Sequence, residues 1–141
     1  MKGEFIITTL KDTRRLAKNL ASELRGGEII GLVGNLGAGK TTFVQFLARA
    51  LGVQAMVNSP TFNIIKVYKI KNSKIKNFVH IDAYRLNSPQ ELEALGVDEY
   101  FNDSSAVTII EWADRVRDIL PKNARVIQFE IENDTRLITT L

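Results

Sequence analysis

The segment from Gly34 to Thr41 contains the residue types that phosphate chemistry requires. It reads G-N-L-G-A-G-K-T and satisfies the pattern G-x-x-x-x-G-K-[ST]. Its glycines let the backbone curl so that successive N–H groups point at phosphate oxygens. The positive end of the helix that follows points at the same place. Lys40 can reach the β- and γ-phosphates, and the Thr41 hydroxyl can bind Mg²⁺. The predicted nucleotide contacts in this loop are Leu36, Gly37, Ala38, Gly39, Lys40, Thr41 and Thr42.

A phosphate loop of this kind needs a carboxylate at the end of a neighbouring strand, either for Mg²⁺ or for the attacking water. The sequence offers two candidates. Asp82 ends the apolar run F-V-H-I-D, and Glu111 ends V-T-I-I-E. A solvated acid at a strand end is the alternative interpretation for each. The residue pattern leaves open which of the two orients the water.

The segment S-P-T-F at 59–62 lies between the helix after the phosphate loop and the next strand. Pro60 fixes its own φ and biases Ser59 to an extended conformation. This arrangement would present the Thr61 hydroxyl toward the γ-phosphate and Mg²⁺, as switch loops do. An ordinary proline-containing loop is the alternative.

Two large side chains adjoin the candidate acids. Trp112 follows Glu111 directly and is predicted to line the site, although a core position is the alternative. His80 precedes Ile81 and Asp82. Because it is the one histidine of the chain and stands in an apolar strand, it is interpreted as a packed residue rather than as a catalyst.

The elements that must position these residues alternate along the chain. Hydrophobic patterns predict strands at 5–8, 28–33, 62–70, 78–81, 106–110, 125–131 and 137–140. Helices are predicted from Thr9 to about Leu24, after the phosphate loop as far as Leu51, from Ser88, and at 113–120. This alternation predicts an α/β, P-loop NTPase-like three-layer fold with a mixed, partly antiparallel central sheet.

The totals favour one globular domain. The chain has 141 residues, of which 45% are hydrophobic and 25% charged, and we interpret 1–141 as a single P-loop domain. It has no apolar run near the roughly 18 residues of a membrane span, and its first ten residues do not resemble a signal peptide. The absence of cysteine excludes disulfides and thiolate metal sites. We expect a cytoplasmic protein without a membrane partner.

The net charge of +3 is unevenly distributed. Between Ile29 and Ile81 there is no acidic residue, whereas from Asp82 to Asp118 nine acids face three arginines. This pattern predicts two differently charged surfaces. The lysines from 66 to 76 suit contact with tRNA or with an acidic protein, and a solvated hairpin is the alternative.

Five motifs together resemble one known family. G-N-L-G-A-G-K-T-T (34–42), S-P-T-F (59–62), H-I-D-A-Y-R-L (80–86), E-L-E-A-L-G (91–96) and I-E-W (110–112) occur in this order. The set resembles the TsaE family, formerly YjeE, over nearly the whole chain. The resemblance implies an enzyme that hydrolyses ATP to ADP and phosphate and is required for threonylcarbamoyladenosine modification of tRNA. It also implies action on the TsaB–TsaD complex to support its turnover, with tRNA met indirectly through that complex.

The resemblance also implies roles for individual residues. Lys40 and Thr41 match the phosphate and Mg²⁺ positions, and Glu111 matches the second Mg²⁺-side carboxylate. Asp82 matches the family's other essential acid, a candidate for positioning water. Three further nucleotide-site positions are matched by Thr61, Trp112 and Arg136.

The chain departs from the family pattern at two positions. Asn35 stands where an acid is frequent, and Ala113 stands where a proline often follows the tryptophan. Neither position supplies a group that the chemistry requires.

Other function classes remain open on the sequence. In a nucleotide-gated binding module, ATP would mainly fix 59–62 for docking, and hydrolysis would be incidental. A small-molecule kinase needs an acceptor pocket and a lid, for which the chain has little room. A GTPase is disfavoured because no N-K-x-D or D-x-x-G motif is present. No motif reads adenine, so the preference for ATP rests on the resemblance.

Overall fold

The computed structural model describes residues 2–60, 63–71 and 73–140. Its strands form a seven-stranded mixed sheet. The strands are β1 (Gly3–Ile7), β2 (Ile29–Gly34), β3 (Ile65–Lys69), β4 (Asn77–Asp82), β5 (Ala106–Glu111), β6 (Arg125–Glu132) and β7 (Thr135–Thr140). The predicted α/β class and mixed sheet are therefore confirmed.

Four α-helices and one 3₁₀ segment connect the strands in the described part of the chain. They are α1 (Leu10–Glu23), α2 (Lys40–Leu51), α3 (Pro89–Ala94), α4 (Val97–Phe101) and the 3₁₀ segment Ala113–Ile119. The sequence patterns missed α4, which is only five residues long. They also predicted an ordinary helix where the structure has a 3₁₀ segment that is kinked at Val116.

Local sequence signals explain the ends of the longer helices. Thr9 caps α1 through a reciprocal capping box with Asp12, which satisfies backbone N–H groups that the helix leaves unpaired. The hydrogen bonds from Thr8 and Thr9 lower the pKa of Asp12. Helix α2 ends at Gly52 in the left-handed conformation. Ser88 stands at the N-cap of α3 as predicted, but its side chain makes no capping hydrogen bond.

The strand order is β1-β7-β6-β2-β5-β4-β3. Strand β2 lies between β5 and β6 and is parallel to both, and β4 extends the parallel part beyond β5. The antiparallel pairings of β3 with β4, of β7 with β6 and of β1 with β7 lie outside this parallel centre. The two predicted hairpins, β3–β4 and β6–β7, are both present.

Apolar side chains cover both faces of the sheet and make three layers. Helices α1 and α2 pack on one face through Leu20, Phe43 and Leu47, which are at most 1% exposed. On the other face, Leu92 and Val97 of the short helices are fully buried. Among the described residues, no helix is long and apolar enough to cross a bilayer.

This topology decides where polar residues converge. The carboxyl ends of parallel neighbouring strands meet at one edge of the sheet, beside the loops that follow them. Here β2, β4 and β5 bring Gly34, Asp82 and Glu111 to the same edge.

Candidate nucleotide site

The phosphate loop connects the buried strand β2 to helix α2. At its start, Gly34 has φ 152°, and a β-carbon there would come 2.4 Å from the carbonyl oxygen of Phe129 on β6. Only glycine has no β-carbon, so the loop can leave the sheet this close to the neighbouring strand. Helix α2 begins at Lys40, and its positive end therefore faces the loop.

Lys40 is folded against the loop. Its ammonium donates hydrogen bonds to the carbonyl oxygens of Gly34 and Asn35, the latter at 3.1 Å. It also lies 4.0 Å from the centre of the Trp112 ring, a cation–π distance. Burial lowers the pKa of Lys40, and the negative charges of Glu111, Asp114 and Asp82 oppose that shift.

Thr41 and Glu111 meet at the first turn of α2. The Thr41 hydroxyl donates a hydrogen bond of 2.9 Å to Glu111 Oε1. Ser59 Oγ lies 3.3 Å from the same hydroxyl oxygen. The loop residue, the strand-end acid and the start of 59–62 are therefore joined in one polar cluster, although Ser59 was not a predicted contact.

Two strand-end acids lie side by side but in different environments. Asp82 and Glu111 are register partners on β4 and β5. Glu111 uses both oxygens, because Oε2 lies 2.6 Å from His80 Nε2. Asp82 Oδ1 accepts a hydrogen bond of 3.0 Å from the Tyr84 backbone N–H. Burial is the main cause that raises the pKa of Asp82, with a further contribution from the charge of Glu111.

Trp112 turns the chain directly after Glu111. Its backbone has φ 59° and ψ 41°, a left-handed conformation that is uncommon for a bulky side chain and is concentrated at functional sites. The turn places its ring over Lys40 and 4.9 Å from the ring of Tyr84. The Arg115 guanidinium lies 5.3 Å from Tyr84 and 5.6 Å from Trp112. An aromatic and cationic wall therefore borders the site.

These groups line a cleft of about 280 Å³. It brings together nine of the predicted site residues, namely Leu36, Gly37, Gly39, Lys40, Thr41, Thr42, Asp82, Glu111 and Trp112. Ser59 and Tyr84 also line it, and the sequence analysis assigned neither to the site. Thr61, the predicted switch residue, lies outside the described residues.

A second cavity of about 340 Å³ lies on the other side of the loop. The predicted residues Ala38 and Arg136 line it, together with Gly37, Gly39 and Thr42, which border both spaces. The β1–α1 turn and the start of α1 form another part of its wall, through Thr8, Thr9, Leu10 and Thr13. Sequence reasoning missed this wall because the turn carries no phosphate or metal motif.

The cleft suits a phosphate chain and Mg²⁺. A β-carbon at Gly37 or Gly39 would meet no atom of the described residues within 4 Å, so these residues leave space beside the loop backbone. Thr41 and Glu111 supply two adjacent hard oxygen donors. Among the described residues, no three His, Cys, Asp or Glu side chains form a closed metal cage. An open pair of oxygens fits Mg²⁺, which usually keeps waters and substrate phosphates as its other ligands.

Most of the chain is similar to one family of known proteins. Residues 7–138 match the model of the family described as threonylcarbamoyl adenosine biosynthesis protein TsaE. The chain belongs to the TsaE family. The resemblance predicted from the five motifs is therefore confirmed.

Individual TsaE relatives match this chain over most of its length. The Bacillus subtilis (strain 168) protein named tRNA threonylcarbamoyladenosine biosynthesis protein TsaE is 39% identical over 130 residues, covering 92% of this chain and 78% of its own. The Aquifex aeolicus (strain VF5) protein of the same name is 36% identical over 135 residues, covering 89% of this chain and 93% of its own.

One solved structure has the same fold. The crystal structure of Bacillus subtilis YdiB superposes with a TM-score of 0.80 at 32% identity. The match covers 99% of this chain and 84% of the YdiB chain.

Proposed function

We propose that this TsaE-family chain binds ATP with Mg²⁺ and hydrolyses it to ADP and phosphate in support of threonylcarbamoyladenosine modification of tRNA. The observation that carries the proposal is the 2.9 Å contact between Thr41 Oγ1 and Glu111 Oε1 beside the phosphate loop. Residues 70 positions apart converge there on a pair of Mg²⁺-type oxygen ligands.

The chain's own residues account for binding. Backbone N–H groups of the loop would face the phosphates, and Lys40, which now donates to the carbonyls of Gly34 and Asn35, would donate to phosphate oxygens instead. Thr41 and Glu111 would hold the metal, which when bound would neutralise charge that develops on the phosphates. The base and ribose would lie in the second cavity, which Arg136 of β7 lines.

Asp82 is the better candidate for orienting the attacking water. Glu111 already uses one oxygen for Thr41 and the other for His80. Asp82 Oδ1 accepts a hydrogen bond from the Tyr84 N–H, and Asp82 lines the same cleft as Lys40 and Thr41. Its raised pKa suits an acid that exchanges hydrogen bonds with water near the reacting phosphate.

The test is ATP hydrolysis by the purified chain, alone and with the TsaB–TsaD complex and tRNA. We expect slow hydrolysis alone and faster hydrolysis in the complex, because a phosphoryl-transfer site often gains a missing cation from its partner. Lys40→Ala should reduce the rate about 10²-fold or more, since it removes a charge aimed at the phosphates.

The matched control is Lys71→Ala, which removes an exposed lysine from the opposite edge of the sheet. It should hydrolyse ATP as the wild type does. Equal rates with and without the TsaB–TsaD complex would contradict action on that complex. Hydrolysis that survives Lys40→Ala would contradict the assignment of the site.

A second function, a nucleotide-gated binding module, is favoured by the contact of Ser59 with Thr41. A ligand that binds at Thr41 would also affect the segment that begins at Ser59. In a binding module, this segment would be the surface that docks the partner. Asp82→Ala separates the two functions, because it removes the acid proposed to orient the water and leaves Thr41 and Glu111 in place. Partner binding that depends on ATP but survives this change, without stimulated hydrolysis in the wild type, would favour the module over the ATPase.

A further inference from the structure

The Glu111 carboxylate is held from two sides. Oε1 accepts from the Thr41 hydroxyl at 2.9 Å, and Oε2 lies 2.6 Å from His80 Nε2. Glu111 is 2% exposed and His80 is fully buried. A carboxylate buried this deeply needs hydrogen-bond donors, because burial without them is costly. Of the two contacts, only that with Thr41 belongs to the phosphate loop.

The geometry of the sheet explains why the histidine reaches the acid. His80 is the register partner of Ile109 on the parallel strand β5, and Glu111 lies two residues further along. Side chains two residues apart on a strand share a face, so His80, Asp82, Ile109 and Glu111 all face α2. A diagonal neighbour on that face is within reach of a long side chain.

The contacts also assign the proton of the imidazole ring. A carboxylate oxygen only accepts hydrogen bonds, so His80 Nε2 must be the donor. His80 Nδ1 is buried and has no hydrogen-bond partner among the described residues. A proton on Nδ1 would therefore be a buried donor without an acceptor, which is expensive. The Nε2–H tautomer fits the surroundings, with its one donor aimed at Glu111.

We propose that His80 is a positioning residue that fixes the Glu111 carboxylate, so that Oε1 remains beside Thr41 as a ligand for Mg²⁺. The inference rests on the proposed nucleotide function of the cleft. Partners that hold a metal-binding side chain from behind set its orientation, and their loss typically costs roughly 10–100-fold in metal affinity or activity.

A core-packing role makes a different prediction. If His80 only filled space, any substitution of similar size would act through stability and would leave the Mg²⁺ dependence unchanged. If His80 positions Glu111, only a side chain with a donor where Nε2 stands would preserve that dependence. Two amides separate these possibilities, because the Gln amide nitrogen reaches the place of Nε2 and the Asn amide nitrogen reaches only the place of Nδ1.

The experiment compares His80→Gln with His80→Asn in the full chain. Trp112, the one tryptophan of the chain, lies 4.0 Å from Lys40 and reports on nucleotide binding by fluorescence. ATP affinity is measured without Mg²⁺, and Mg²⁺ is then titrated at fixed ATP. We expect His80→Asn to raise the half-saturating Mg²⁺ concentration roughly 10–100-fold. His80→Gln should raise it much less, and ATP affinity without Mg²⁺ should be unchanged in both.

Thr108→Val is the control for disturbing a buried polar residue. Its hydroxyl is also buried and has no hydrogen-bond partner in the described part of the chain, and the odd spacing to Glu111 on β5 puts it on the opposite face of the sheet. Mg²⁺ half-saturation should not change in Thr108→Val. Thermal unfolding of every variant without nucleotide shows that the comparison is made between folded proteins.

Two results would overturn the inference. Equal Mg²⁺ half-saturation in the Gln and Asn variants, whether both unchanged or both raised, would show that the donor at Nε2 does not matter. This result would leave the proposed function intact, provided that the wild type binds ATP in a Mg²⁺-dependent way. A wild type without such binding would overturn the function and the inference together.

Discussion

At the scale of single residues, two acids in register on neighbouring strands have different surroundings. Glu111 is 2% exposed and contacts Thr41 and His80 through its two oxygens. Asp82 is partly exposed to the cleft, and burial together with the charge of Glu111 raises its pKa. Asp82 is thus an acid whose ionised form the fold opposes, as expected where a site maintains a charge for function.

Replacement of Asp82 should separate stability from activity. In Asp82→Asn we expect ATP hydrolysis to fall about 10²-fold or more, because the group that we propose to orient the water is lost. We expect Tm at neutral pH to rise by about 2–4 °C, the shift that corresponds to ~1 kcal/mol in a chain of this size. Scanning calorimetry without nucleotide measures the second effect. Asp118→Asn, which removes an exposed acid, is the control.

The pH dependence of that Tm difference follows from the direction of the pKa shift. A carboxyl whose pKa is raised by folding binds its proton more tightly in the folded state, so its contribution to stability grows as the pH falls. The difference between Asp82→Asn and the wild type should therefore be full above the raised pKa. It should disappear below the ordinary value of 3.8, where the wild-type carboxyl is protonated in both states. A difference that persists there would mean that the charge of Asp82 is not its cause.

At the scale of elements, the phosphate loop depends on how closely β2 approaches β6. Gly34 and Phe129 are register partners, and a β-carbon at Gly34 would lie 2.4 Å from the Phe129 carbonyl oxygen and 2.9 Å from its β-carbon. Gly37 also has a positive φ, of 80°, but a β-carbon there would meet none of the residues that the structure describes within 4 Å. The first glycine is therefore required by packing and by conformation, and the second by conformation alone.

Two alanine substitutions test this distinction. Gly34→Ala should lower the free energy of unfolding by about 3 kcal/mol, because it adds a backbone clash to a strained φ. Gly37→Ala should lower it by only ~1 kcal/mol, the cost of the left-handed conformation. Urea denaturation without nucleotide measures both. Equal losses would indicate that β6 moves away from β2 at little cost.

At the scale of the whole molecule, the two edges of the sheet differ in character. The edge that contains the cleft also has the exposed side chains Leu36 and Tyr84, which are 72% and 44% exposed. The exposed lysines Lys71 and Lys74 lie in the β3–β4 turn, near the beginning of β4. The five steps from Asn77 to Asp82 separate that turn from the cleft by about 17 Å. We therefore expect a partner whose binding depends on the nucleotide to dock at the edge that contains the cleft.

Substitutions at the two edges should affect binding to the TsaB–TsaD complex differently. We expect Tyr84→Ala to weaken ATP-dependent binding about 10-fold or more, because exposed aromatic side chains often dominate interface energies. The double charge reversal Lys71→Glu and Lys74→Glu should leave the ratio of affinities with ATP and with ADP unchanged. Calorimetric titration of the complex with each variant measures both. A collapse of that ratio in the double reversal would instead assign the nucleotide-sensitive surface to the hairpin.

The fold was largely predictable where its causes are local. The phosphate loop is one continuous stretch, and the strand before it and the helix after it follow from runs of 6 to 12 residues with clear hydrophobic patterns. Thr9 and Asp12 marked the start of α1 by a cap that needs only neighbouring residues. Helix α4 escaped prediction because five residues are too few to show a helical period.

The residues of the site were more predictable than the contacts between them. The sequence by itself determined the loop, its lysine and threonine, the two strand-end acids and, through the ordered motifs, the family. Only the tertiary structure decided that β2 lies between β5 and β6, that Glu111 rather than Asp82 meets Thr41, and that His80 holds Glu111. The physical reason is the separation along the sequence over which each effect acts. Periodicity and capping act over a few residues, whereas strand order and the contact between Thr41 and Glu111, 70 positions apart, depend on how the faces of distant segments pack together.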